Sequence, residues 1–349
     1  MTLTETLTEI VDIRSPLGSE GRLCTAIAER MLPLWDRDGV HRIGNSLIVG
    51  RRTGRPLISL FGHIDTVPAQ GQGDSHISDG RLHGLGASDM KAGVAVMMHL
   101  LEDPEVLNGP YDVVGVFYDK EEGPAEENGL QIVLPAADWL DESEIAIVLE
   151  PTDNELHLGC QGFVNARIVF QGHAAHSARP WLGENAITKA GPFLIEMHAW
   201  EHRPTTIDGL EYTEVFSVTL AEGGVARNII PSHFELHLNH RFPPNMTVDE
   251  AEARLLEVAS AADVVEIVDR AAGASVPIDN PHAERLETIS GAPRRPKQGW
   301  TDVASLTARG IPALNYGPGE VAQAHQVGES VPLANLDESY RVLKELLTT

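Results

Sequence analysis

Cysteine is almost missing from this sequence: Cys24 and Cys160 are the only two in 349 residues. Two thiols without a CxxC spacing exclude a disulfide framework and a thiolate zinc site, and they suit small buried side chains better than catalysts. Basic residues are scarce as well, 26 Lys and Arg against 51 Asp and Glu, for a formal charge of −25. A surface of that sign repels nucleic acid and anionic membranes, so neither is expected as a partner. An anionic ligand would need a local cationic pocket. No apolar run approaches the length of a membrane span, and no basic start followed by an apolar stretch marks a secretory signal, so a cytoplasmic location is the expectation. Internal repeats and low-complexity tracts are missing too. What remains is an ordinary globular composition, 42% hydrophobic and 22% charged, in a chain longer than a typical single domain.

Up to about residue 161 the pattern alternates between helix and strand. Helical periodicity covers 3–13 and 20–35, and 41–51 reads as a hairpin. Buried-strand runs follow at 57–61, 113–118 and 145–149, with helical stretches at 91–101 and near 130–140. From Gly162 the style changes to half-exposed strands at 164–171, 215–220 and 233–242, with helices predicted at 186–200 and 248–259. After Ala272 the first style returns, with a helix at 302–309, a strand at 311–316 and a closing helix at 336–347. The fold class is therefore α/β: a mostly parallel mixed sheet flanked by helices, interrupted by a smaller α+β insert. Residues 1–161 and 272–349 form the large domain, and 162–271 form the insert.

Ligands of parallel α/β sheets collect at the carboxyl ends of the strands. The run 57–61 leads into Gly62-His63-Ile64-Asp65, and 113–118 leads into Asp119-Lys120-Glu121-Glu122. The run 145–149 leads into Glu150-Pro151, and 311–316 into Gly317-Pro318-Gly319 with His325 beyond. Gly84-Leu85-Gly86-Ala87-Ser88-Asp89-Met90-Lys91 adds a loop that delivers one carboxylate at a helix start. Alone, each piece reads as surface, cap or turn. Together they form a mixed imidazole and carboxylate set suited to zinc, cobalt or manganese. The His-x-Asp spacing suits a ligand beside a carboxylate that orients it. Adjacent Glu121 and Glu122 point different ways, so one can bind metal and the other stay free as a base.

Gly62-His63-Ile64-Asp65-Thr66-Val67-Pro68, the Gly84–Gly93 stretch, Glu121-Glu122-Gly123 and Glu150-Pro151 together resemble the M20 family of dizinc aminoacylases, deacylases and peptidases. The resemblance keeps motif order and spacing over essentially the whole chain. It implies that Asp89 bridges two metals, that His63 and Glu150 complete one site, and that Glu122 and His325 complete the other. It also implies that Asp65 orients His63, that Glu121 is the general base, and that the Asp89-Met90 peptide is cis. The ions would be zinc, with cobalt or manganese as substitutes. The insert would be a lid and dimerisation domain of a homodimer. Its loop Gly172–Pro180 would carry His176 to the partner's active site as an oxyanion donor. Arg227–Pro231, with Asn228, and Asn239–Phe242 resemble the family's substrate-contacting segments.

Within that family, Leu158–Gly162, His176–Ile187, Gly299-Trp300-Thr301-Asp302-Val303 and Asn315–Gly319 are most similar to the actinobacterial succinyl-diaminopimelate desuccinylases. Many other desuccinylases have an arginine where this chain has Cys160-Gln161, and Gly-Thr-Ser-Asp where it has Gly299-Trp300-Thr301-Asp302. The implied substrate is a small anionic acyl-amino acid, contacted by Arg179, Asn228, Arg241, Gly299 and Thr301. Arginine suits bidentate carboxylate recognition, with Arg241 and Arg179 first in line. An N-acetylornithine deacetylase or another acyl-amino-acid hydrolase would share every metal ligand. A catalytically silent metal-dependent binding protein is the alternative of another class, and the complete ligand set with Glu121 argues against it.

Overall fold

Continuous apolar runs fold as adjacent parallel strands, because such strands are covered on both faces and need no polar side. The structure, a computed structural model, describes residues 1–349. Asp112–Tyr118, Leu57–His63, Ser143–Val148 and Ala313–Asn315 lie side by side in that order, all parallel. Every residue of the first two is buried. The antiparallel strands Ser46–Val49 and Val40–Ile43 extend one edge, and Leu156–Leu158 and Arg294–Pro296 extend the other, giving eight strands. A separate three-stranded sheet joins His76–Ser78, Arg81–His83 and Ser330–Pro332.

Chain contacts divide the molecule into two compact units: 1–158 with 277–295 and 305–349, and 159–276 with 296–304. Residues 296–304, which the sequence places with the large domain, group with the second unit. Lys297 O accepts from Gln161 N. Gln298 bonds Glu211 O and Thr213 N, and the Trp300 indole donates to Ala272 O.

In the first unit, helix Leu3–Asp12 starts at a reciprocal cap between Thr2 and Glu5 and packs on helix Ala92–Glu102, which also meets Leu333–Thr348. Helix Ala92–Glu102 approaches the end of strand Ser143–Val148 so closely that a Cβ on Gly93 would collide with Leu149 O.

The second unit is a five-stranded antiparallel sheet in the order Arg203–Ile207, Leu210–Gly223, His233–Phe242, Gly162–Gln171 and Val264–Ala271. Strand His233–Phe242 alternates strictly, with Phe234, Leu236, Leu238, His240 and Phe242 buried and the residues between them partly open. Phe234, Leu236, Leu238 and Phe242 join Ile168, Phe170, Phe193 and Leu255 in the core. The single helix expected at 186–200 is two, Ala186–Lys189 and Gly191–His198. The break falls at Gly191-Pro192, where proline has no N–H to continue the first helix but fits the opening turn of the second. No helix is long and apolar enough to cross a membrane.

Candidate metal centre

The four parallel strands present their carboxyl ends along one edge of the sheet. His63 closes its strand, paired opposite Tyr118. Glu121 and Glu122 follow strand Asp112–Tyr118 after a turn in which Lys120 has φ 60°. Glu150 lies two residues past strand Ser143–Val148, and His325, with φ 62°, sits in the loop after Ala313–Asn315. Positive φ is uncommon outside glycine, so both turns are held by their surroundings. Asp89 comes from the tight turn Ala87–Lys91, whose helical dihedrals are interrupted at Asp89 and Met90, and the Asp89-Met90 peptide is cis.

Asp89 stands between two histidines. Its Oδ1 lies 3.2 Å from His63 Nε2, and its Oδ2 lies 3.5 Å from His325 Nε2. Glu150 Oε1 is 3.6 Å from the same His63 nitrogen, and Glu122 Oε2 is 3.0 Å from the same His325 nitrogen. Two clusters of three donors, His63–Asp89–Glu150 and Asp89–Glu122–His325, thus share one carboxylate, and each fits within 4.8 Å. Glu121 forms a further close group with His63 and Glu122. Asp65 supports both sides. It faces His63 Nδ1, with Oδ1 at 3.5 Å and the backbone oxygen at 3.2 Å, and its carboxylate accepts the N–H groups of Glu121 and Glu122 at 3.1 and 2.9 Å.

The donor chemistry fits divalent cations. Only acceptors face His63 Nδ1, so the ring proton belongs there, and the Nε2 lone pair then confronts two carboxylate oxygens. A cation or a second proton must lie among them. Burial alone would lower the His63 pKa, but hydrogen bonds to Asp65 and Asp89 outweigh it and hold the ring well above the ordinary histidine value. Burial raises Glu122, against the pull of His63.

The remaining candidates lie in the second unit. His176 is exposed, and its Nδ1 accepts the N–H of Ala178 at 3.1 Å, which leaves the proton on an outward Nε2. Ser177 N donates to Asn228 O and Arg179 N to His176 O, so His176, Arg179 and Asn228 share one exposed loop pair. In Asn239-His240-Arg241-Phe242 the strand alternation separates the roles. His240 is buried, stacked on Phe216 with ring centroids 4.0 Å apart and bonded to Glu214 at 2.8 Å. Arg241 projects from the other face, 5.1 Å from the Phe163 ring centre, with Asn239 as its polar partner. No carboxylate lies within ion-pair distance of Arg241, and burial lowers its pKa, so an incoming anion would relieve its desolvation. Trp300 meets the same Phe163 edge-on at 6.2 Å. It is flanked by exposed Gly299 and by Thr301, which is 4% exposed.

Two residues that support the Asp89 turn were given no role by the sequence. Lys91 is buried and donates from Nζ to Ile10 O and Ile13 O, tying the turn to the end of helix Leu3–Asp12. That burial pulls its pKa down to about 7. Glu329, 2% exposed, accepts three peptide N–H groups of the same turn. The only sequence signal for it was its place four residues beyond His325, ahead of an apolar strand.

A parallel α/β sheet with two histidines and a carboxylate cluster at its strand ends defines a metal-dependent hydrolase. Residues 60–349 match the family described as peptidase family M20/M25/M40, and the chain belongs to that family. It is 38% identical over 344 residues to a Mycobacterium tuberculosis protein provisionally assigned as a succinyl-diaminopimelate desuccinylase, covering 97% of this chain and 96% of that one. It is 35% identical over 354 residues to the succinyl-diaminopimelate desuccinylase of Corynebacterium glutamicum, covering 97% and 94%. Among solved structures, the aminopeptidase PepT of Bacillus cereus superposes with a TM-score of 0.78 at 20% identity, covering 99% of this chain and 97% of that one.

Proposed function

We propose that this protein hydrolyses N-succinyl-LL-2,6-diaminopimelate to succinate and LL-2,6-diaminopimelate, as a cytoplasmic homodimer with two divalent ions per chain. The observation that carries the reading is Asp89 with one carboxylate oxygen toward each of two histidine–glutamate pairs. Near full-length similarity to proteins named for this reaction supports the choice of substrate.

His63, Asp89 and Glu150 would hold one ion, and Asp89, Glu122 and His325 the other. Zinc is the expected metal, with cobalt or manganese as substitutes, and the ions would supply Lewis-acid polarisation of the scissile carbonyl and a lowered pKa for water. Glu121 takes a proton from the attacking water as its oxygen adds to the amide carbon. Glu121 then delivers that proton to the nitrogen as the C–N bond breaks, releasing an amine and a carboxylate. Asp65 keeps the His63 tautomer and fixes the backbone from which Glu121 and Glu122 project. His176, protonated on Nε2, donates to the oxyanion from the partner subunit. Arg241 and Arg179 meet the substrate carboxylates, and Asn228, Gly299 and Thr301 line the substrate path.

The test is a side-by-side assay of the zinc-loaded protein on N-succinyl-diaminopimelate, N-acetylornithine and dipeptides. A kcat/KM at least tenfold higher for the succinyl substrate is expected. Preference for either of the others would overturn the substrate assignment while leaving the metal centre standing.

A further inference from the structure

The tight turn that presents Asp89 has a capping problem. The first N–H groups of any helix have no intrahelical partner, and here the first turn is further interrupted at Asp89 and Met90. Gly86, with φ 80°, occupies the cap position and has no side chain to offer. One distant carboxylate answers all of this. Glu329 Oε2 accepts Gly86 N at 2.8 Å, and Oε1 accepts Ser88 N at 2.8 Å and Asp89 N at 2.9 Å. Its own carbonyl accepts Gly84 N at 3.0 Å. The next residue continues the tie: Ser88 Oγ donates to Ser330 O, and strand Ser330–Pro332 pairs with Arg81–His83.

We propose that Glu329 is a positioning residue for the metal centre, fixing the backbone of Asp89 so that its carboxylate stays between His63 and His325. The proposal rests on the reading of Asp89 as the bridging ligand and adds a residue to it. Two features separate this role from plain turn stabilisation. The segment that carries Glu329 also carries His325, four residues earlier. The Asp89 peptide and the facing imidazole are therefore set by one short stretch of chain, and moving it changes both sides of the 3.5 Å approach between Asp89 and His325. Charge is the second feature. A neutral amide of the same length has one acceptor oxygen, whereas both oxygens of the carboxylate accept N–H groups of the turn. A second buried carboxylate bonded to the peptide of Asp89 is repelled by it, and that repulsion is relieved when cations fill the cluster. A carboxylate is thus best suited to a turn that presents a ligand to cations.

Glu329→Gln keeps the size but turns an amide NH₂ toward one of the donors. The full-length protein is stripped with chelator and titrated with Co²⁺, reading dissociation constants by competition and the visible d–d absorption. Apo far-UV circular dichroism serves as the fold control, and Asp89→Asn as the site control. Glu329→Gln should keep the wild-type apo spectrum, bind Co²⁺ about 10- to 100-fold more weakly at one or both sites, and alter the d–d bands. If Glu329→Gln does not fold, Glu329→Asp, which keeps the charge but falls short of the turn, carries the same titration and the same expectation. Wild-type affinity and spectrum in the variant would overturn the positioning role alone. A wild-type protein that takes up fewer than two ions, or an Asp89→Asn protein that binds like wild type, would instead overturn the centre on which it depends.

Discussion

Asp65→Asn is the sharpest probe of how the centre is held together. Three donors converge on this carboxylate: Glu121 N–H at 3.1 Å, Glu122 N–H at 2.9 Å, and His63 Nδ1 at 3.5 Å. Asparagine offers one oxygen and one NH₂ group, so whichever way it turns, a donor meets a donor. The cheaper orientation keeps its oxygen toward Glu121 and His63 and abandons Glu122. Leaving one buried N–H unmatched costs about 1–3 kcal/mol, which sets the expected loss of stability in the metal-free protein. The loosened peptide is the one that projects Glu122, and an outer partner of this kind is worth about 10- to 100-fold in metal affinity. Denaturant unfolding of the apo protein and competitive zinc titration measure the two effects independently. Asp65→Asn with wild-type stability and wild-type affinity for both ions would refute the argument, because it would mean that the three contacts to Asp65 carry no energy.

Glu121→Gln should retain two metals per chain while kcat falls by a factor on the order of 10² or more; loss of metal instead would exchange the roles of Glu121 and Glu122. Co-expressed with His176→Ala, it should regain activity in heterodimers that assemble one intact site, and subunit exchange without recovery would exclude donation across a dimer. Asp112, 1% exposed, accepts from Arg52, Arg55, Thr53 and Gly54, and although burial alone would raise its pKa, these contacts hold it below the ordinary carboxylate range. Its contribution is therefore present above the unfolded carboxylate pKa, about 4, and is lost as pH falls through the lower folded value. Asp112→Asn should cost about 2–3 kcal/mol at pH 7, less than a fully buried pair because water reaches both arginines, and the difference should shrink below pH 4 in urea unfolding curves.

The α/β fold was legible because its central strands are buried on both faces. Residues 57–61 and 145–149 could read only as apolar runs, and the titratable residues following them stood out for that reason. His63, Glu122, Glu150 and His325 meet in space because each follows such a strand, and Asp89 joins them from the turn Ala87–Lys91 ahead of helix Ala92–Glu102. Other parts left weaker traces. Strands Arg203–Ile207 and Val264–Ala271 lie at the sheet edges of the second unit and are too exposed for a clear hydrophobic alternation. The helix break at Gly191-Pro192 was hidden by apolar residues continuing on both sides. Glu329 was hidden most completely, because its partners are peptide N–H groups, which every residue has and no sequence pattern distinguishes. The polar environment of Arg241 likewise depends on strand register, which places it beside Phe163 and Asn239 and sends neighbouring His240 into the core.

The central claim is that one aspartate joins two metal sites built from five side chains. A crystal grown with zinc, with anomalous differences collected on both sides of the zinc edge, tests it most directly. The account predicts two peaks per chain, roughly 3.5–4 Å apart, with the Asp89 carboxylate between them, His63 and Glu150 on one and Glu122 and His325 on the other. A single peak, or two peaks with Asp89 turned away from either, would contradict it.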